Sequence, residues 1–237
     1  MNFSLAIIHS VPIFVAMPRK ARIVAPDLPH HVTQRGNRRM PVFFKESDYA
    51  LYKQILSESC HKSGVTIWAY CLMPNHVHFI AVPQSTDALA CVFREAHRRY
   101  TAFINKREGW TGHLWQDRFS SFIMDEPHTL MAARYIENNP VSAKICHSAT
   151  DYLWSSAQAH IAGNDDGLVE ARPLLDMAPD WGTFLKQSAP SENALLERHQ
   201  ASGFPLGERS FIQKLETQLS AKLCANSRGR PIKTGTE

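Results

Sequence analysis

The chain has little that could cross-link it. Its five cysteines, Cys60, Cys71, Cys91, Cys146 and Cys224, are scattered and odd in number, and no two form a C-x-x-C pair. This argues against a disulfide framework and against a structural zinc site, and it fits a reducing compartment, so a cytoplasmic protein is expected. Long apolar runs are missing as well. Residues 1–16 (MNFSLAIIHSVPIFVA) are apolar, but they lack a basic start and are interrupted by His9, Ser10 and Pro12. They are too short for a membrane span and read as a disordered leader, or as an over-called start with Met17 as the natural beginning. No membrane partner is expected. Internal repeats and long low-complexity tracts are absent. Nor is one sign of charge dominant: 26 Lys and Arg face 22 Asp and Glu, for a net charge of +4 and a pI of about 8.8.

The placing of those charges says more than their sum. Met17 to Met40 holds six basic residues against one acid, Asp27, whereas acids outnumber bases from Asn164 to Gln200. The end turns basic again with Lys222, Arg228, Arg230 and Lys233. Part of the surface is therefore suited to an anionic partner. Hydrophobic residues make up 44% of the chain, enough for a sizeable core.

The pattern of elements begins with a strand over His30–Arg35 and a basic loop, Gly36-Asn37-Arg38-Arg39. A helix follows to about Lys62, with Ser47 as its cap and Gly64 as its stop. Val65–Met73 and His76–Val82 read as a hairpin about a Pro74-Asn75 turn. A basic helix runs from Asp87 to Lys106, and a strand from Arg118 to Met124. A last helix is capped by Asp125, tolerates Pro127 in its first turn and is stopped by Pro140. The order β-α-β-β-α-β plus a helix predicts an α+β, ferredoxin-like split β-α-β fold, an antiparallel sheet with helices on one face. Tyr152–Ser156 begins another short helical piece. A linker at 163–167 leads to a mostly helical extension. The domains expected are a leader (1–16), a main domain (17–162), the extension (163–224) and a flexible basic tail (225–237).

Two clusters carry chemistry. His76 and His78 lie two apart on a strand, so both imidazoles point to one face while Val77 and Phe79 point to a core. Tyr135 and Asn139 lie four apart and share a helix face. A phenol beside two imidazoles and an oxygen donor suggests phosphoryl transfer on a nucleic acid. The donor set suits a divalent ion without deciding which: imidazole favours transition metals, oxygen favours magnesium or manganese. Each cluster also has a plain reading. Isolated H-x-H pairs are commonly surface or core histidines, and a tyrosine beside Ala132, Ala133 and Ile136 is more often packed than catalytic. The Asn139 spacing and the polar Glu137-Asn138 pair favour an open site.

Read together, the segments Leu28–Arg39 (LPHHVTQRGNRR), Met73–His78 (MPNHVH), Leu114–Phe119 (LWQDRF), Tyr135–Val141 (YIENNPV), and Tyr152 with Trp154-Ser155-Ser156 resemble the REP-associated tyrosine transposases. These belong to the HUH single-tyrosine transposases, which are insertion-sequence transposase-like. The resemblance spans roughly residues 17–160. It implies a ferredoxin-like fold, a divalent cofactor (Mg or Mn) held by His76, His78 and Asn139, and Tyr135 as nucleophile. It further implies a single-stranded DNA transposase or endonuclease acting near hairpins of the REP palindromic type. Strands would be cut and rejoined by metal-assisted transesterification through a 5′-phosphotyrosine. Residues expected to contact DNA are Arg35, Arg38, Arg39, Arg94, Arg98, Arg99, Trp115, Arg118, Arg228 and Arg230; Trp110, Trp115 and Phe119 could stack bases or fill the core beneath the catalytic helix. Arg228-Gly229-Arg230-Pro231 matches the core of an AT-hook, a minor-groove element. Two rivals stand beside this reading: a domesticated, non-catalytic DNA-binding protein, and a metal-dependent nuclease that uses water. Monomer and homodimer are both compatible with the sequence.

Overall fold

The computed structural model describes residues 21–187 and 190–223. The leader, the basic tail, and with it Arg228 and Arg230, lie outside the described residues. Four strands, β1 (His30–Arg35), β2 (Val65–Met73), β3 (His76–Pro83) and β4 (Ser120–Ile123), form one antiparallel sheet in the order β2-β3-β1-β4. The connecting helices are α1 (Glu46–Ser63) between β1 and β2, and α2 (Ala88–Glu108) between β3 and β4. This is the split β-α-β arrangement expected from the sequence.

Alternation along the strands divides the core in two. Val32, Leu72, Val77, Phe79 and Ala81 face α1 and α2 with Tyr52, Leu56, Phe93 and Tyr100. Cys71, Met73, Ile80 and Phe122 face the other way, onto α3 (Glu126–Glu137), with Ala132, Ala133 and Ile136. Helices therefore cover both faces of the sheet, where one face was expected. α3 needs a face of its own because its apolar stripe has no room beside α1 and α2.

Local signals were mostly kept. Gly64 closes α1 in the left-handed region at φ 65°, and the Asp125 carboxylate caps α3 by accepting from the His128 N–H, with Pro127 in the first turn. Ser47 does not cap α1. Lys45 is the N-cap, and Asp48 in the first turn accepts from the Phe44 and Lys45 N–H groups at 2.9 and 3.1 Å. A carboxylate makes the stronger, charge-assisted bond there. β4 begins at Ser120 rather than Arg118. Pro140 does not stop α3 either. The break is at Asn138 (φ −85°, ψ 0°), and Pro140 sits in the first turn of α4 (Asn139–Ser142), where a missing N–H costs nothing.

Beyond α4 the chain returns to the sheet. Tyr152–Ser156 is not helical; it lies along the edge strand β2. The Leu72 N–H donates to the Trp154 carbonyl at 2.8 Å, and the Ser156 N–H to the Tyr70 carbonyl at 3.0 Å. Further along the same edge, the Glu170 N–H donates to the Ile67 carbonyl at 2.8 Å. The exposed edge of β2 is thus covered by the chain's own extension. The extension continues as α5 (Ala157–Ala162), α6 (Arg172–Met177), α7 (Trp181–Leu185), α8 (Pro190–Ser202) and α9 (Arg209–Leu219).

One buried carboxyl group ties α3 to this extension. Glu137 is wholly buried. It accepts from the Ser156 hydroxyl at 2.5 Å, His160 Nδ1 at 2.6 Å and Trp181 Nε1 at 2.7 Å. Ser156 in turn accepts from the Tyr70 N–H of β2 at 2.9 Å. Helix, sheet, α5 and α7 meet at this point. Among the described residues no helix is long and apolar enough to cross a membrane. Replacing Glu137 with alanine orphans three buried donors and is expected to lower stability by about 3–5 kcal/mol. Urea unfolding checks this, and a loss below about 1 kcal/mol would remove Glu137 as the anchor.

Candidate active site

Register brings the site together on the α3 face. Thr33 of β1 lies opposite His78 of β3, Arg35 opposite His76, and His31 opposite Phe122 of β4. The His76 and His78 rings are 4.9 Å apart between centroids, nearly perpendicular. His31 stacks on His78 at 5.3 Å. Tyr135 arrives from α3 and stands edge-on to both, 5.6 Å from His78 and 6.1 Å from His31. Asn139, one turn on, hydrogen-bonds the Tyr135 side chain. The four residues singled out in the sequence therefore form one chain of neighbours: His76, His78, Tyr135 and Asn139.

The ring nitrogens are not equivalent. His76 Nδ1 lies 2.6 Å from the Asn75 side-chain oxygen. His78 Nδ1 lies 3.1 Å from His31 Nε2 and 3.3 Å from the Thr33 hydroxyl. His78 Nε2, by contrast, is buried without a hydrogen-bond partner. A buried polar atom with no partner is rare and needs an explanation. Six other buried side-chain atoms among the described residues share that condition, His31 Nδ1 and His160 Nε2 among them; at His78 the neighbouring His76 and Asn139 complete a donor set that fits a divalent ion. Among the described residues no cluster of three His, Cys, Asp or Glu side chains offers an alternative ligand set.

Burial keeps the imidazoles uncharged, as ligands must be. It brings His76 and His30 down to about 4, and His31 and His97 to about 3. For His76 the Arg35 charge adds to the effect. His78 is lowered by burial first, then by His76, His31 and Arg35. Tyr135 moves the other way. Burial raises its hydroxyl above the ordinary tyrosine range and the Glu197 charge from α8 adds to that, while the Asn139 hydrogen bond and Arg35 pull it down. The unaided phenol is thus a poor nucleophile at neutral pH.

The basic loop is built against this cluster. Gly36 donates its N–H to the Asn75 carbonyl at 2.8 Å. A β-carbon there would stand 2.3 Å from the Met40 carbonyl oxygen, so only glycine allows the approach. Asn75 also donates to the Arg39 carbonyl at 3.0 Å, so one side chain positions both His76 and the loop. Arg38 and Arg39 are exposed and adopt left-handed backbone angles, φ 53° and 61°. A cavity of about 340 Å³ opens beside Thr33, lined by Arg35, Arg39, Gln116, Arg118 and Ser120.

Other expected contacts lie elsewhere. Arg94, Arg98 and Arg99 are on α2, across the sheet from Tyr135. Arg98 pairs with Glu95 and Arg99 with Glu58, both at 2.8 Å, and Arg94 Nη2 lies 3.7 Å from Cys91 Sγ. Trp115 is not a free stacking platform. It is buried against His97, 4.4 Å between rings, in the α1–α2 core and not beneath α3. Phe119 is buried under the Arg22 guanidinium, while Trp110 is exposed with its edge on Phe44. The Glu137-Asn138 pair does not open the site: Glu137 is buried on the far side of α3, and Asn138 donates to the Leu185 carbonyl. His31 also belongs to the cluster, and its same-face parity with Thr33 and Arg35 is the sequence signal for it.

Residues 25–139 match the family model described as Transposase IS200 like. No curated protein matches the chain significantly. Among solved structures the chain is similar to a REP-associated tyrosine transposase bound to a REP hairpin, with 19% identity over 66% of this chain and 92% of that one and a TM-score of 0.53. That likeness concerns the fold. A protein from Deinococcus radiodurans R1 described as a transposase shares 27% identity over 51% of this chain and 97% of its own, with a TM-score of 0.36.

The depressed histidines set a sign for acid sensitivity. Unfolded, these rings take up protons below about pH 6.5; folded, His30, His31, His76 and His97 do so only near 3–4. The unfolded state binds more protons in between, so their stabilisation is complete above about 6.5 and is lost as pH falls toward 4. Urea midpoints measured from pH 7.5 down to 4.5 should decline steadily, by up to about 1.4 kcal/mol per pH unit for each ring. A flat profile would contradict the burial of these groups.

Proposed function

We propose, for a chain whose residues 25–139 match the model of the IS200-like transposases, that it is an active DNA strand transferase of that kind with Tyr135 as nucleophile. The observation that carries this reading is the edge-on approach of Tyr135 to His78, whose Nε2 is buried and unpartnered. His76 and His78, each through Nε2, together with Asn139, would hold a divalent ion, Mg or Mn. When bound, the ion would supply charge stabilisation at the scissile phosphate and lower the cost of ionising a nearby phenol.

The chain's own residues account for the rest. Burial and Glu197 hold the Tyr135 hydroxyl protonated in the free protein, and Arg35 opposes them. A divalent cation held there would favour the phenolate, as Arg35 does, and the phenol proton passes to water. The phenolate oxygen attacks phosphorus, the P–O3′ bond breaks, and the leaving oxygen takes up a proton to become a free 3′-hydroxyl. The product is a 5′-phosphotyrosine. Because one phosphoester replaces another, a second 3′-hydroxyl can reverse the step and rejoin strands without a nucleotide cofactor.

The substrate proposed is single-stranded DNA next to a hairpin; the similar REP-associated tyrosine transposase is bound to a REP hairpin. Arg35, Arg38, Arg39 and Arg118 surround or approach the cavity beside Thr33 and suit a phosphate path into the site. Arg94, Arg98 and Arg99, on the far side of the sheet, would meet a different stretch of the same DNA or serve only as solvated charge. The segment 17–162 is proposed as the catalytic unit, with 163–224 adding the Trp181 and Glu192 contacts to α3 beside those of Ser156 and His160.

Tyr135→Phe should bind labelled hairpin DNA as the parent does and form no covalent protein–DNA product on a denaturing gel. The parent should form the product with Mg²⁺ or Mn²⁺ and lose it with EDTA. Cleavage by Tyr135→Phe at the parental rate would overturn the assignment in favour of a water nucleophile. Binding by the parent with no cleavage under any of these conditions would favour a non-catalytic DNA-binding protein.

A further inference from the structure

His31 has no part in that reading, yet it touches two members of the site and the core ring of Phe122. Its Nε2 is 3.1 Å from His78 Nδ1, its ring stacks on His78, and its edge meets Tyr135 and Phe122 at 6.1 and 5.1 Å between centroids. Its own Nδ1 is buried with no partner. We propose that His31 is a positioning residue that fixes which nitrogen of His78 carries hydrogen, and thereby keeps the lone pair of His78 Nε2 for a divalent cation. This deepens the metal-site reading of the preceding section and rests on it.

Two uncharged imidazoles facing each other through one nitrogen each have two arrangements, since one must donate and the other accept. If His31 donates from Nε2, His78 accepts at Nδ1 and carries its hydrogen on Nε2. That N–H is then buried without an acceptor, and the lone pair a cation needs is gone. If His78 donates from Nδ1, His31 accepts at Nε2 and carries its hydrogen on Nδ1, where it too is buried without an acceptor, so the two arrangements are matched in orphaned donors and a cation decides between them. His78 Nε2 then presents a lone pair. A cation at that nitrogen stabilises only the second arrangement. Binding of the ion and the tautomer of His31 are therefore coupled.

The surroundings favour a fixed His31 ring. Phe122 and Tyr135 pack against it edge-on and His78 lies flat on it, so flipping the ring to swap its nitrogens would disturb three contacts. Thr33 Oγ1, 3.3 Å from His78 Nδ1, is a weaker partner for the same hydrogen. Its hydroxyl can both donate and accept, so by itself it selects neither arrangement. A ligating histidine commonly gives its second N–H to an outer partner, and loss of that partner typically weakens metal binding by about 10–100-fold. Here the outer partner is a third imidazole on the neighbouring strand.

The test uses the full chain and Mn²⁺, with free ion read by electron paramagnetic resonance. His31→Leu should weaken Mn²⁺ binding by about 10–100-fold. His31→Gln, whose amide oxygen can accept where Nε2 did, should recover most of it. On the unmodified protein loaded with Mg²⁺, long-range ¹⁵N–¹H correlation should show the His31 hydrogen on Nδ1. Equal Mn²⁺ affinity of His31→Leu and parent, or a His31 hydrogen on Nε2 in the loaded protein, overturns the proposal. If His31→Leu does not fold, the correlation experiment decides alone. His78→Ala separates the two levels. If it binds Mn²⁺ like the parent, the metal-site reading fails and takes this inference with it. If it loses Mn²⁺ while His31→Leu keeps it, only the role of His31 fails.

Discussion

Glu137 and Tyr135 are two residues apart on one helix, about 200° around its axis, so what holds the first determines where the second points. Glu137 is clamped by Ser156, His160 and Trp181, and Ser156 is itself bonded to the backbone of β2. The far side of α3 is thereby fixed to the sheet and to the returning extension. The near side has one place to go, over the imidazoles of β1 and β3. In this structure β1, β3 and α3 of the same chain meet at the candidate site. The segment that follows the tyrosine helix acts as its support, and α8 adds the Arg134–Glu192 ion pair at 2.5 Å.

The same packing explains the electrostatics. A largely buried sheet face holds its histidines uncharged and raises the tyrosine hydroxyl. The neutral rings and the protonated phenol thus come from one cause, burial under α3. Arg35 is the one charge that acts on both sides of this balance, lowering His76 and Tyr135 alike. It stands beside the loop that Gly36 and Asn75 hold against His76, so the most basic approach to the site and its imidazoles are parts of one local structure.

Much of this was legible in the amino-acid sequence. Strand alternation separated His76 and His78 from Val77 and Phe79, and the β-α-β-β-α-β order fixed the sheet, because both follow from local periodicity. Tertiary competition was not legible. Ser47 looked like a cap until Asp48, a carboxylate one residue later, took the backbone donors. Pro140 looked like a stop because proline ends helices, yet it opens the next one. Tyr152–Ser156 had no strand pattern; it is ordered by the free edge of β2. The polar Glu137-Asn138 pair pointed to an open site because nothing local announces donors from residues 19 to 44 positions beyond Glu137. His31 was invisible as a site residue for the same reason. Its partner is 47 residues away and found only through register.

The proposed site draws His76 and His78 from β3 and Asn139 from the start of α4 around one divalent ion, with Tyr135 of α3 beside it. Crystals of the full chain soaked in Mn²⁺ and measured at the manganese absorption edge test it most directly. The account predicts an anomalous peak in contact with Nε2 of both His76 and His78, beside the Tyr135 hydroxyl and the Asn139 amide. Fully occupied manganese elsewhere on the molecule, with none between those two rings, would contradict it.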